Sequence, residues 1–180
     1  MSLLWAALVP IGILTLVNLV LGIGIIRRLR AHENILRTGG TPPLQATTVP
    51  AGEAPSEFEA TAVDGTPVTR DDLTGPALIG FFQPDCAPCA AQTEHFRQRA
   101  ARMRGSDHHI WTVIAGPNEQ KVRSYAEHFD GLGTVVAERP GGPIVQAFGV
   151  SGYPTFVLVD ANGHLTAAQH TVAELPEVRR

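Results

Sequence analysis

Cys86 and Cys89 are the only cysteines in this 180-residue chain and the residues best suited to chemistry. They stand two residues apart in Asp85-Cys86-Ala87-Pro88-Cys89. A thiolate can attack a disulfide, and a pair at this spacing can close on itself, so the motif points to redox exchange. A zinc site needs more ligands, and neither a second Cys-x-x-Cys nor a nearby His-x-x-x-His supplies them. Two cysteines are also too few to staple a small secreted scaffold.

Such a pair needs elements that hold it. The apolar run Ala77–Phe82 predicts a buried strand that breaks at Pro84, and a helix-forming run follows from about Cys86 to Met103. Cys86 then falls at a helix start, where unpaired N–H groups and positive partial charge stabilise a thiolate. This makes Cys86 the attacking sulfur and Cys89, one turn on and more buried, the resolving one. Pro88 suits the first helical turn, where its missing N–H is no loss. Far along the chain, Gly152-Tyr153-Pro154-Thr155 precedes another apolar run. Taken alone, that proline marks a turn with an ordinary trans bond.

The remaining pattern supplies a frame. Phe58, Ala60 and Ala62 alternate, and Asp64-Gly65 signals a turn before Val68, which predicts a hairpin. Asp71-Asp72-Leu73 suits a helical turn. Ile110–Ala115, Thr134–Ala137 and Thr155–Asp160 read as strands. Asn118 caps a helix to about Phe129, with Glu119 in its first turn, and Pro143–Phe148 is a short helix. Ala161-Asn162-Gly163 turns the chain into a last strand, Leu165–Gln169. Strands alternating with helices imply an α/β layer structure, with antiparallel character from the closing hairpin.

Phe82-x-x-x-Cys86-Ala87-Pro88-Cys89, Gly152-Tyr153-Pro154-Thr155 and Asp160-x-Asn162-Gly163 together resemble the thioredoxin superfamily. An apolar N-terminus, a Pro-rich spacer and the preceding hairpin narrow the resemblance to its membrane-tethered TlpA/ResA-like branch, with the MauD-like relatives. It covers about Glu57 to Gln169. The resemblance implies a thioredoxin-like fold: a mixed central sheet flanked by helices, with an N-terminal β-hairpin, behind a single transmembrane helix. It also implies a thiol–disulfide oxidoreductase whose redox-active disulfide is Cys86–Cys89, with no other cofactor. In that family a cis-proline lies against the disulfide and the backbone before it binds an extended substrate; those roles fall on Pro154 and Tyr153. The departures are specific. Asp85 stands where thioredoxins carry Trp, Gly80 where they carry a buried acid, and Gln92 where many TlpA-like proteins carry Glu. Asp85 is expected either to raise the thiol pKa by like-charge repulsion or to cap the helix. Water, Asp85 or Glu94 would deprotonate Cys89.

The flanks set the wider organisation. Leu3–Ile26 carries no charge and exceeds the roughly 20 residues needed to cross a bilayer as a helix. Arg27, Arg28 and Arg30 follow it, where a signal peptide would have small residues, so residues 1–30 read as an uncleaved anchor with a basic flank. Residues 31–56 read as a juxtamembrane helix and a Pro/Gly spacer, and residues 57–180 as the thioredoxin-like domain. The positive-inside tendency places those arginines in the cytoplasm. The family resemblance and the chemistry favour an extracytoplasmic domain, where disulfides form. The expected partners are protein thiols and disulfides, a membrane electron donor for thiols, and lipid along residues 3–26. A formal net charge of -3 without a basic run argues against nucleic acid.

Other candidates read as ordinary structure. Adjacent His108 and His109 point to opposite faces of a strand and chelate poorly. His164 and His170 are expected at the surface, Trp111 in the core, and Arg97, Arg99, Arg102 and Arg104 on a solvated helix face. Two rival readings stay open: a peroxiredoxin-like thiol peroxidase using Cys89, and a redox-inert protein-binding module.

Overall fold

The computed structural model describes residues 48–73, 75–104 and 108–177. The predicted anchor and most of the spacer lie outside these residues. Among the described residues, no helix is long and apolar enough to cross a membrane.

A five-stranded sheet forms the centre, in the order β5-β4-β3-β6-β7. Its strands are β3 (Ala77–Phe82), β4 (His109–Ala115), β5 (Thr134–Glu138), β6 (Thr155–Val159) and β7 (Leu165–Gln169). β3, β4 and β5 run parallel, whereas β6 and β7 pair antiparallel. Before them, β1 (Glu59–Thr61) and β2 (Pro67–Thr69) pair antiparallel. Ala62 then bridges to Val136, so the segment after β1 lies along the β5 edge.

β3 is buried throughout, and its alternation feeds two cores. Ile79 and Phe81 join Phe58, Trp111, Val157 and Phe148 on one face; Leu78 and Phe82 join Cys89, Phe96, Phe129 and Phe156 on the other. Each buried phenylalanine contributes roughly 2–3 kcal/mol of apolar burial. Three helices, α1 (Ala87–Met103), α2 (Glu119–Ala126) and α3 (Pro143–Ala147), cover the sheet. In α1, Cys89, Thr93, Phe96, Ala100 and Met103 recur every three or four residues and are buried, which makes a single core-facing stripe.

The spacer expected to run to Ser56 is instead bonded to the fold from Val49. Val49 N donates to Phe148 O at 2.9 Å, Gly52 N to Leu165 O at 2.7 Å and Ser56 N to Ala147 O at 3.2 Å. Its Pro and Gly content lowers helix and strand propensity but leaves backbone donors for the last carbonyls of α3 and for the start of β7.

Arg99 corrects a second expectation. It is 8% exposed rather than solvated. Its guanidinium donates to the carbonyls of Val172 and Leu175 at 3.4 and 3.3 Å, and also to that of Pro176. Burial pushes its pKa down, and the nearby Glu177 charge opposes this. The chain after β7 forms a short 3-10 turn, Val172–Glu174, and is held against α1 through this contact.

Candidate active site

Sheet register brings the distant site segments together. Phe81 pairs with Thr155 in antiparallel β3 and β6. Continuing forward past Phe82 and backward from Thr155 leads to the same end of the sheet. Cys86 and Tyr153-Pro154 meet there, although 67 residues separate Cys86 from Tyr153. β7 adds His170 by the same logic, since Gln169 pairs with Phe156.

Cys86 is the N-cap of α1, with extended backbone (φ -105°, ψ 107°). Cys89 N donates to Cys86 Sγ at 3.2 Å. The two cysteines are joined as a disulfide. Cys86 is half-buried and Pro88 exposed, whereas Cys89 has 0% exposure. An incoming group therefore reaches Cys86 first. The Tyr153–Pro154 peptide is cis, and the Tyr153 carbonyl oxygen lies 3.9 Å from Cys86 Sγ.

Asp85 is not the helix cap, one of its two expected roles. The cap is Cys86 itself, and the Asp85 carboxylate turns outward to Lys121 on α2, with Oδ2 2.6 Å from Nζ. Asp85 has φ 59°, in the left-handed region that a non-glycine residue enters at a cost. The ion pair and the sharp turn into α1 hold it there. A shallow cleft of about 370 Å³, lined by Pro84, Asp85, Lys121, Tyr125 and His128, opens beside it. A larger cavity of about 640 Å³ lies away from the disulfide, along Thr61–Val63, Gly116 and Arg139.

The other departures also find physical partners. A Cβ on Gly80 would stand 2.7 Å from Phe96 Cε2, so an aromatic ring fills the space where the family's buried acid would project. The Gln92 side chain accepts from Val172 N at 3.1 Å. Glu94 is exposed, and its carboxylate accepts from Arg97 and Gln98 at 3.3 and 3.0 Å.

Sequence reasoning missed three neighbours of the site. Thr93 donates to the Cys89 carbonyl at 3.0 Å and pairs with Tyr125 Oη at 2.7 Å. Because the Thr93 proton is used, the Tyr125 hydroxyl is the donor, and α2 is tied to the turn that carries Cys89. Burial pushes the Tyr125 phenol pKa up. His170, expected at the surface, is half-buried with Nδ1 2.7 Å from Pro154 O. None of these residues lies in a local motif; only tertiary register reveals them.

A buried carboxylate lies on the opposite face. Glu138, 8% exposed, accepts from Ile144 N at 2.9 Å and Val145 N at 3.3 Å at the start of α3. Burial raises its pKa, and those two bonds oppose the rise. Burial, then the Glu138 charge, raises the Tyr153 phenol pKa. Among the described residues, no three of His, Cys, Asp and Glu gather as a metal site.

Residues 51–168 match the AhpC/TSA family. The chain is 26% identical over 112 residues to the thiol-disulfide oxidoreductase ResA of Bacillus thuringiensis subsp. konkukian, covering 62% of this chain and 64% of that protein. The chain thus spans less than two thirds of that curated relative's length. ResA of Geobacillus thermodenitrificans is 24% identical over 120 residues, covering 66% and 68%. Among solved structures, a putative thiol:disulfide interchange protein DsbE from Chlorobium tepidum superposes with a TM-score of 0.59 at 23% identity, covering 68% of this chain and 85% of that one. A secreted Mycobacterium tuberculosis disulfide oxidoreductase gives 0.55 at 22%, covering 67% and 87%. The structural likenesses establish the fold.

Proposed function

The chain belongs to the AhpC/TSA family as a TlpA/ResA-like protein of thioredoxin fold, and from that premise we propose that it is a thiol–disulfide oxidoreductase acting on proteins. The observation that carries the reading is the pairing of a half-buried Cys86 with a fully buried Cys89 across from the Tyr153 carbonyl.

In the reducing direction, the Cys86 thiolate attacks one sulfur of a substrate disulfide. That S–S bond breaks, a mixed disulfide forms on Cys86, and the displaced substrate sulfur leaves as a thiolate that takes a proton. The Cys89 thiolate then attacks Cys86 Sγ, releasing the second substrate sulfur and closing Cys86–Cys89. The substrate gains two electrons and two protons, and the pair gives up the same. A thiol-bearing membrane electron donor would re-reduce it. Pro88 shapes the first turn of α1 without needing an N–H, and Tyr153-Pro154 form the wall against which an extended substrate lies. No cofactor beyond the disulfide takes part.

Residues 3–26 would anchor the domain on the extracytoplasmic side, where protein disulfides form. Arg27, Arg28 and Arg30 pull the other way. Protease treatment of intact cells decides between them: digestion of the domain supports the extracytoplasmic side, and protection reverses it.

Insulin reduction with dithiothreitol tests the activity. We expect turnover by the full chain and its loss in Cys86→Ser. Unchanged turnover in Cys86→Ser would support the redox-inert reading. Peroxide consumption dependent on Cys89 would support the peroxidase reading, which the full burial of Cys89 disfavours.

A further inference from the structure

We infer that residues 170–176 clamp the cysteine-bearing helix to the loop opposite it, and that His170 is the positioning residue of this clamp for protein substrates. The inference rests on the oxidoreductase reading and deepens it. Two attachments lie on α1. Val172 N donates to Gln92 Oε1 at 3.1 Å, and Arg99 donates to the carbonyls of Val172 and Leu175. Gln92 stands three residues beyond Cys89. Val172 and Leu175 are buried in the same core as Cys89. The third attachment is on the opposite wall, where His170 Nδ1 lies 2.7 Å from Pro154 O.

The chemistry of that last contact fixes its direction. A carbonyl oxygen only accepts, so Nδ1 carries the proton. Pro154 follows the residue whose carbonyl lies 3.9 Å from Cys86 Sγ. Holding Pro154 O therefore holds the peptide unit that follows the one beside the reactive sulfur, and Gln92 and Arg99 hold the helix that carries it. A small disulfide or dithiol needs only the sulfur. A protein segment laid along the Tyr153 backbone needs the sulfur and the wall at a fixed spacing. His170 should thus matter for protein substrates and little for small ones.

The test uses the full chain and compares two rates, insulin reduction and reduction of its own disulfide by dithiothreitol. In His170→Ala the insulin rate should fall about five- to tenfold, the scale of one lost hydrogen bond, with the dithiothreitol rate within about twofold of wild type. His170→Asn, which returns an amide donor near the Nδ1 position, should recover most of the loss. His170→Phe keeps a ring without the donor and should behave like His170→Ala, which covers the case where the alanine variant does not fold. An unchanged insulin rate, an equal loss with dithiothreitol, or no rescue by Asn would overturn the clamp. Hydrogen exchange at the Tyr153 and Thr155 amides gives a readout free of activity. Faster exchange in His170→Phe supports the clamp, and unchanged exchange contradicts it. A wild-type chain that leaves insulin untouched would count against the oxidoreductase reading instead, and the exchange result would still decide the clamp.

Discussion

Phe96 Cε2 lies where a side chain at Gly80 would have to begin: a Cβ there would be 2.7 Å away. The Phe96 ring also stacks on Phe156 at 5.7 Å and meets Phe82 edge-on at 5.4 Å. The helix bearing the cysteines is seated on the central strand through that contact. The space is not available to a carboxylate, so this chain handles the Cys89 proton without the family's buried acid. Gly80→Ala should cost about 1–3 kcal/mol by overpacking, read as a lower urea midpoint with an unchanged slope. Gly80→Asp should cost more, since it adds a buried charge as well.

Lys121 neutralises a carboxylate next to the attacking cysteine. The pair is more than half exposed on both sides, so its effect on stability is at most about 1 kcal/mol. Its effect on reactivity is directional. Lys121→Gln leaves the Asp85 charge unopposed beside Cys86 and should move the midpoint of Cys86 alkylation to higher pH. Asp85→Asn should move it down, and the double variant should track Asp85→Asn. Iodoacetamide rates against pH on the reduced chain measure all three.

Arg99 organises the end of the chain through three carbonyls. Arg99→Met keeps much of the buried stem and removes the donors. It should cost about 2 kcal/mol through the unsatisfied carbonyls. Limited proteolysis should then cut within residues 170–177 faster than in wild type.

Glu138 gives a pH signature. Its folded pKa is raised above the ordinary 4.5, first by burial. The folded state therefore binds this proton more tightly than the unfolded chain. Stability is highest below the ordinary carboxylate value and falls as pH rises through the raised folded value. Denaturation midpoints collected across that window should show the fall in wild type and a flatter course in Glu138→Gln.

What could be read in advance divides by range. Cys86, Pro88 and Cys89 announce a helix start because capping and proline placement are local, and α1 begins within one residue of the expectation. Asn118 is legible for the same reason, and its side chain accepts from Lys121 N at 3.0 Å. Ala77–Phe82 is recognisable as a buried strand because its apolar residues are continuous. Arg99 misleads because four arginines on one helix look solvated until the C-terminal carbonyls arrive. His170 misleads because its partner sits 16 residues earlier and meets it only through the β6–β7 register. Asp85 could be flagged as a departure, but its choice of Lys121 over the helix terminus depends on a backbone turn at φ 59° that no local signal fixes. Val49–Ser56 looks like spacer because composition reports propensity, whereas docking depends on the unpaired carbonyls at the end of α3 and at Leu165.

The order of attack at the two sulfurs is the centre of this account, and a trapped intermediate tests it most directly. Reduced Cys89→Ser, mixed with insulin, should accumulate a disulfide-linked adduct through Cys86, visible by non-reducing electrophoresis and mass spectrometry. Reduced Cys86→Ser should accumulate none, because Cys89 is buried. Adducts formed through Cys89 with Cys86 absent would contradict the assignment of both residues.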